Sequence, residues 1–292
     1  MFKRRNYFKE DRQKPWSIKD EPVSKASLDD EEARSYPDMY EAYRDFAKTY
    51  NLSMNNFILT NGCENAVRII FEAIRPKYVY TENPSWGLVE VLANGLMCPR
   101  PDETPGEQRL FFVDYEFKDG KFVLGNNKET LPKLPNENSI FYITDKYNNV
   151  FEHERLENKN DYAKYTIVDE TYSAEQLKNS KRQIPENVFI IGSYSKFCGA
   201  GIRLGYILYH PKWHDLMQLL REECISKLAA KYAKVYMPDI VLPEYEDKYV
   251  CKSNSYVVVK ADEYTGDKRR INREFEVSGI KFYKLGLSLK WF

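Results

Sequence analysis

Residues 188–196 read VFIIGSYSK, four apolar residues followed by a glycine, two serines with a tyrosine between them, and a lysine. Residues 166–172 read TIVDETY and place Asp169 directly after a similar, mostly apolar run. Strands that are apolar on both faces are typical of parallel sheets covered by helices on each side. In open sheets of this kind, ligands bind beyond the carboxyl ends of the strands. The two segments therefore predict an α/β fold that brings Asp169 and Lys196 to one edge of its sheet.

Helices and strands alternate along most of the chain. Apolar residues recur at helical spacing over residues 39–50, 64–74 and 86–94, and short apolar strands are predicted over 56–60, 78–81, 139–144, 165–168, 187–192 and 205–209. Residues 108–123 alternate between apolar and polar types around Asp119-Gly120, which predicts a hairpin or an edge strand. This order of elements predicts a three-layer αβα fold around a mostly parallel central sheet.

The segment after residue 210 has a different pattern and predicts a small α+β domain. Residues 211–234 are mostly helical in pattern, and the rest predicts strands over 255–260, 280–283 and 287–291 with a helix near 268–277. We therefore expect a large domain over residues 31–210 and a small C-terminal domain over 211–292. An N-terminal arm over residues 1–30 is expected to pack with the small domain.

Composition excludes several classes of function. The 292 residues carry 44 Lys and Arg against 44 Asp and Glu, a balance that argues against a nucleic-acid-binding protein. Five cysteines form no C-x-x-C pair and there are three histidines, so neither a metal site nor a disulfide framework is expected. Scattered thiols are typical of a reducing compartment, which favours the cytoplasm. No apolar run approaches the roughly 20 residues of a membrane span.

The side chains predicted at the strand ends suit one kind of ligand. They are an acid, a phenol, two hydroxyls, an amine and a guanidinium, from Asp169, Tyr172, Ser193, Ser195, Lys196 and Arg203. The turn at residues 61–64 opens a helix, whose first amides and dipole attract anions. A ligand with a phosphate, an aldehyde and a basic ring nitrogen uses all of these groups, and pyridoxal phosphate is such a ligand.

These segments also resemble the motifs of one enzyme family. Residues 193–206 resemble the lysine signature of fold-type I pyridoxal-phosphate-dependent enzymes, and residues 168–172 resemble their Asp-Glu-x-Tyr turn. Residues 61–66 and 83–86 resemble the family's phosphate turn and its ring-stacking Pro-x-aromatic segment. Residues 35–38, Ser-Tyr-Pro-Asp, resemble a segment of the histidinol-phosphate aminotransferase branch. The segments follow the family's order, and the resemblance covers about residues 15–292.

The resemblance implies a role for each matching residue. Lys196 would form a Schiff base with pyridoxal phosphate and then move protons, while Asp169 would pair with the ring nitrogen. Tyr172 would donate to the ring 3-oxygen, and Trp86 would stack on the ring. The other implied cofactor-binding residues are Asn149 at the 3-oxygen, Gly62, Cys63, Glu64, Ser193, Ser195 and Arg203 at the phosphate, and Tyr36 reaching the phosphate from a second subunit.

Ordinary structural roles stay open for the same residues. Asp169 could cap a helix, and Tyr172 and Trp86 could be core aromatics. Lys196 could be a solvated surface charge, and residues 61–64 could form a tight turn without a ligand.

The chain departs from the family pattern in four places. It is compact for the family, mainly after residue 206, and the asparagine at 149 is followed by Val-Phe-Glu instead of Pro-Thr-Gly. The spacing from Lys196 to Arg203 is one residue shorter than usual. Residues 285–288 lack the arginine that binds a substrate α-carboxylate, so Lys284 or Lys290 would have to replace it with a point charge.

The resemblance implies an aminotransferase that moves an amino group between a small-molecule amino donor and an oxo acceptor. The alternative is a decarboxylase of the same fold, similar to threonine-phosphate decarboxylases, because these share nearly every cofactor residue. A non-catalytic cofactor-binding protein is a third hypothesis, which the missing arginine favours. The implied assembly is a homodimer with shared active sites, without a nucleic-acid or membrane partner.

Overall fold

The first helix lies where the sequence predicts it. The computed structural model describes residues 35–94, 109–125, 138–148, 150–153, 163–221, 225–238, 248–253 and 256–286. Helix α1 (Met39–Tyr50) begins at Asp38, whose carboxylate accepts a hydrogen bond from the amide of Glu41 at 2.9 Å. Its buried side chains recur at the predicted spacing, and the expected arm over residues 1–30 lies outside the described residues.

An eight-stranded sheet forms the centre of the molecule. Its strands are β1 (Phe57–Thr60), β2 (Tyr78–Asn83), β3 (Leu110–Lys118), β4 (Lys121–Leu124), β5 (Ser139–Thr144), β6 (Tyr165–Asp169), β7 (Val188–Ser193) and β8 (Gly205–Leu208). They lie in the order β1-β8-β7-β6-β5-β2-β3-β4. The five strands from β7 to β3 in that order pair in parallel, whereas β8 and β4 run antiparallel to their neighbours. The expectation of a mostly parallel α/β sheet is therefore confirmed, as is the β3–β4 hairpin.

Helices cover this sheet and complete its core. They are α2 (Gly62–Ile74), α3 (Gly87–Ala93), α4 (Glu175–Lys178), α5 (His214–Leu220) and α6 (Lys227–Tyr232). Met217 of α5 and Ala229 of α6 are fully buried in the same apolar cluster as α2 and β7. The boundary near residue 210 stays a prediction. Within the described ranges, no helix combines the length and the apolar character needed to cross a membrane.

A second sheet of four antiparallel strands follows. It contains β9 (Cys251–Lys252), β10 (Tyr256–Lys260), β11 (Ile271–Val277) and β12 (Ile280–Gly286) in the order β11-β12-β10-β9. The prediction of a helix near 268–277 is wrong, because residues 271–277 alternate between partly buried and exposed side chains. Ser278 and Gly279 both have positive φ, at 53° and 75°, as a tight hairpin turn requires. The strand predicted over 287–291 lies outside the described residues.

A close backbone contact holds the start of α2 against the sheet. A Cβ atom at Gly205 would lie 2.6 Å from the carbonyl carbon of Gly62 and 2.7 Å from its Cα. Together with the Thr60 hydroxyl oxygen, 2.8 Å from the same point, the Gly62 backbone leaves no space for a side chain at residue 205. Gly62 itself has a φ of 78°, a conformation that glycine adopts without strain. The contact fixes the first turn of α2 beside the end of β8.

We expect Gly205→Ala to lower the free energy of unfolding by about 1–3 kcal/mol, because the added methyl group must push α2 away from the sheet. Urea unfolding followed by circular dichroism measures the change. Gly201→Ala is the matched control, since a Cβ there meets no atom within 4 Å. Equal stability of the two variants would contradict the role of the contact.

Candidate active site

A cavity of about 350 Å³ lies at the carboxyl ends of β2, β5, β6 and β7. It brings together nine of the predicted residues, which are Cys63, Glu64, Trp86, Asp169, Tyr172, Ser193, Ser195, Lys196 and Arg203. Five further lining residues are not predicted from the sequence, and they are Glu82, Tyr142, Thr144, Asn148 and Thr171. The strand ends therefore meet at one site, as expected for an open parallel sheet.

Asp169 is the buried acid at the end of β6. Its carboxylate accepts hydrogen bonds from the Thr171 amide at 2.8 Å and from the hydroxyl of Tyr142 on β5. Burial raises the pKa of Asp169, and these hydrogen bonds together with the Lys196 charge act in the opposite direction. The carboxylate is thus held in one orientation at the floor of the cavity.

Lys196 approaches the same cavity from the end of β7. The chain leaves the strand through a 3₁₀ turn at residues 194–196, where the Ser193 hydroxyl oxygen accepts from the Ser195 amide at 3.1 Å. The Lys196 Nζ atom lies 5.2 Å from the centre of the Tyr172 ring. The predicted amine and phenol are therefore neighbours, and both line the cavity that contains Asp169.

The first turn of α2 and Arg203 form the cationic end of the cavity. The Asn61 side chain makes no capping hydrogen bond to α2, so its first amides remain without an intrahelical acceptor. A Cβ at Gly62 would lie 3.5 Å from the Arg203 guanidinium carbon, and this guanidinium donates to the Asn61 carbonyl at 3.3 Å. The hydroxyls of Ser193 and Ser195, 3.0 Å apart, line the same cavity. These groups suit a phosphate.

Cys63 is a buried thiol within this wall. Its Sγ lies 2.9 Å from the Thr171 hydroxyl oxygen, and burial raises its pKa well above the usual value. The thiol is therefore neutral and contributes shape rather than charge. Trp86, the residue before α3, is partly buried and lines the opposite part of the wall.

An asparagine other than the predicted one lines the cavity. Asn149 lies outside the described residues, whereas its neighbour Asn148 is 1% exposed and forms part of the wall. The Asn148 Oδ1 atom accepts from the amides of Val150 and Phe151 at 2.7 and 2.8 Å. Within the described part of the chain, its buried Nδ2 atom has no hydrogen-bond partner. A buried amide nitrogen without a protein acceptor is expected to donate to an oxygen atom of a ligand in the cavity.

Two other candidates lie away from the cavity. Tyr36 is 90% exposed, and its carbonyl accepts from the Lys227 Nζ at 3.4 Å, so its implied role depends on a second subunit. Lys284 is 1% exposed and lies 5.0 Å from the centre of the Tyr256 ring on β10, outside the lining set. Lys290 is not among the described residues.

Glu170 is a second buried acid beside the site. It accepts from the Tyr206 hydroxyl at 2.7 Å and from the amides of Gln176 and Leu177 at 2.6 and 3.0 Å, at the start of α4. Burial raises its pKa to about 8. The folded chain therefore keeps a proton on Glu170 that the unfolded chain releases near the usual value of 4.5.

Because folding takes up this proton, the contribution of Glu170 to the free energy of unfolding is largest below pH 4.5 and falls as the pH rises toward 8. We expect Glu170→Gln to reduce that fall by about 1–3 kcal/mol between pH 5 and pH 8. Urea unfolding of both proteins at four pH values in this interval measures the slope. An unchanged slope in the variant would contradict the raised pKa.

Known proteins resemble the chain in sequence and in fold. No protein-family model matches the chain. It is 26% identical over 240 residues to histidinol-phosphate aminotransferase of Pyrococcus furiosus, a match that covers 78% of this chain and 61% of that enzyme. The chain thus spans about three fifths of the length of this curated relative.

Two solved structures have the same fold. Histidinol-phosphate aminotransferase from Sinorhizobium meliloti, solved with pyridoxal-5′-phosphate, superposes with a TM-score of 0.52 at 17% identity, over 70% of this chain and 56% of that one. Tyrosine aminotransferase from Leishmania infantum superposes with a TM-score of 0.57 at 12% identity, over 87% and 79%. The chain therefore has the fold of these pyridoxal-phosphate-dependent aminotransferases, and its sequence is similar to that of a histidinol-phosphate aminotransferase.

Proposed function

We propose that the protein is a pyridoxal-phosphate-dependent aminotransferase that acts on a small-molecule amino donor and an oxo acceptor. The observation that carries the proposal is the placement of Lys196, Tyr172 and the buried Asp169 around one cavity. When bound, pyridoxal phosphate supplies an aldehyde that condenses with amines and a ring that withdraws electrons from the substrate α-carbon. The orphaned Asn148 amide and the cationic end of the cavity support its fit.

Asp169 holds a proton at the ring nitrogen in this proposal. Tyr142 and the Thr171 amide already occupy part of its acceptor capacity, which fixes the direction of the remaining lone pairs. Cys63 and Thr171 pack beside the carboxylate and keep water from it. The buried acid therefore keeps the ring cationic, which is the state that withdraws electrons.

Lys196 has two tasks in this proposal. It anchors the cofactor, and once a substrate amine takes that place, its free amine moves a proton between the substrate α-carbon and the cofactor C4′ atom. Tyr172 lies beside the amine and donates to the ring 3-oxygen. The Asn148 Nδ2 atom is a second donor in the same wall.

The other lining residues orient the cofactor. The first amides of α2, Arg203 and the hydroxyls of Ser193 and Ser195 hold the phosphate. Trp86 packs on a ring face and excludes water from it. We further propose a cytoplasmic homodimer in which the exposed Tyr36 of one subunit reaches the phosphate of the other.

Lys196→Ala is expected to remove the visible absorbance that the wild type shows after incubation with pyridoxal phosphate, and to reduce transamination at least 1,000-fold, roughly the effect of losing a general acid–base group and a nucleophile. Lys48→Ala, at an exposed residue of α1, is the control and is expected to stay yellow. A wild-type protein that remains colourless with added cofactor would refute the proposed function.

Amino donors separate transamination from the alternative chemistry. For an aminotransferase we expect them to convert bound pyridoxal phosphate to pyridoxamine phosphate, which chromatography of the released cofactor detects. Release of CO₂ without this conversion would instead identify a decarboxylase. A screen of amines, amino acids and phosphorylated amino acids also reports the substrate class.

Asn148→Asp is expected to weaken pyridoxal-phosphate binding roughly 10- to 100-fold, the value of one hydrogen bond to a charged oxygen. The substitution keeps the Oδ1 acceptor that serves the Val150 and Phe151 amides and replaces the donor with a second carboxyl oxygen. Asn149→Asp is the matched variant, because the sequence motif favours that residue. Fluorescence titration of both variants with cofactor decides which asparagine contacts it, and a larger loss at residue 149 would restore the sequence-based assignment.

A further inference from the structure

Four side chains form a buried cluster in the wall of the cavity, on the β2 and β5 side. The Thr144 hydroxyl oxygen lies 2.8 and 3.0 Å from the two carboxyl oxygens of Glu82, and 2.9 Å from Nε2 of His153. The Tyr115 hydroxyl donates to the second carboxyl oxygen of Glu82. The side chains of Glu82 and His153 are completely buried, with 3.8 Å between Oε2 and Nε2. Glu82 and Thr144 also line the cavity.

The surroundings of Glu82 favour its neutral form. The titratable groups that face it are Tyr115 from β3, His153 after β5, Tyr142 from β5 and Asp169 from β6. Burial raises the pKa of Glu82 to about 8, and the negative charge of Asp169 acts in the same direction. Burial raises the pKa of Asp169 as well, but the hydrogen bonds from Thr171 and Tyr142 and the nearby Lys196 charge act in the opposite direction. When two neighbouring acids lie in such different environments, one carries the negative charge and the other keeps its proton.

The contacts allow one chain of hydrogen bonds for each charge state of Glu82. When Glu82 holds its proton, its O–H donates to the Thr144 oxygen, and the Thr144 O–H donates to the bare Nε2 of His153. That arrangement leaves the imidazole proton on Nδ1. When Glu82 is ionised, it accepts from the Thr144 O–H, and the Thr144 oxygen accepts from an N–H at Nε2. The Thr144 hydroxyl has a single hydrogen, which it donates either to Glu82 or to His153. A change in the charge of Glu82 is therefore accompanied by a change in the ring nitrogen of His153 that carries the proton.

We propose that Glu82, Thr144 and His153 form a proton relay in the active-site wall, with Glu82 as the positioning residue that keeps Asp169 the single ionised carboxylate among the buried acids that line the cavity. When Glu82 loses its proton to solvent or to a bound group, the Thr144 O–H turns toward Glu82, and the imidazole releases its Nδ1 proton and takes up one at Nε2 by exchange with solvent. One proton leaves the cluster and the imidazole stays neutral throughout. The relay itself is a property of the chain, and its effect on a bound ring rests on the proposed function.

Nuclear magnetic resonance of the full-length protein tests the relay directly. With ¹⁵N-labelled histidine, two-bond ¹⁵N–¹H spectra show which ring nitrogen carries the proton. Between pH 6 and pH 10 we expect Nε2 of His153 to change from unprotonated to protonated, with a midpoint near the Glu82 pKa of about 8. The chain has three histidines, so His153 is assigned by the signal that persists in variants of His210 and His214.

Variants distinguish a relay from a merely structural contact. Glu82→Gln is expected to remove the pH step at His153, Thr144→Val to uncouple it, and Thr144→Ser to preserve it. Glu170→Gln is the matched control, because Glu170 is an equally buried acid bonded to Tyr206. The step is expected to survive in that variant. A His153 signal that keeps one protonated nitrogen throughout, or a step that survives Glu82→Gln, would overturn the relay.

A second measurement tests the effect on the cavity. The pH profile of the bound-cofactor absorbance is expected to contain a step near pH 8 in the wild type and to lack it in Glu82→Gln. Identical profiles would overturn the positioning role of Glu82. If the protein binds no pyridoxal phosphate, the proposed function fails while the histidine spectra still decide the relay.

Discussion

A buried carboxyl group must find its hydrogen-bond donors within the protein, and this requirement governs the wall of the cavity. Three acids are buried at or just beyond the ends of β2 and β6, where water cannot solvate them. Each accepts a hydrogen bond from the hydroxyl of a buried tyrosine on another strand. The pairs are Tyr115 with Glu82, Tyr142 with Asp169 and Tyr206 with Glu170. The order of strands in the sheet therefore determines which tyrosine hydroxyl donates a hydrogen bond to each buried acid.

The third pair also explains a glycine in the segment 188–196. Tyr206 lies on β8 and must cross β7 to reach Glu170, which follows β6. It does so over Gly192, where a Cβ would lie 1.9 Å from the tyrosine hydroxyl oxygen. Any side chain at residue 192 would displace the tyrosine and leave a buried acid without its donor. Gly192 thus leaves the space through which the Tyr206 hydroxyl reaches Glu170 at the end of the neighbouring strand.

Local sequence patterns were sufficient to predict the helices, the strands and the site residues at the strand ends. They did not predict pairs of side chains that come together only when distant strands become neighbours in the sheet. Apolar runs and helical spacing located the parallel strands, α1 and α2, and the order of motifs located Asp169 and Lys196. Glu82 carried no signal, because its partner Tyr115 is 33 residues away and on another strand. The segment 271–277 was predicted to be a helix because its many charged residues obscure the alternation of partly buried and exposed side chains. The hairpin turn at 278–279 identifies the segment as a strand.

Tyr256, a residue of the second sheet, supports the wall of the cavity. Its hydroxyl donates to the Asn148 carbonyl at 2.9 Å, and its ring lies edge-on to that of Tyr172, with 6.4 Å between their centres. Lys284 lies over the same ring and is buried. The wall that holds Asn148 and Tyr172 therefore rests on a residue of β10 and on a cation of β12. Asp169 and Lys196, in contrast, are positioned by the ends of β6 and β7 in the central sheet.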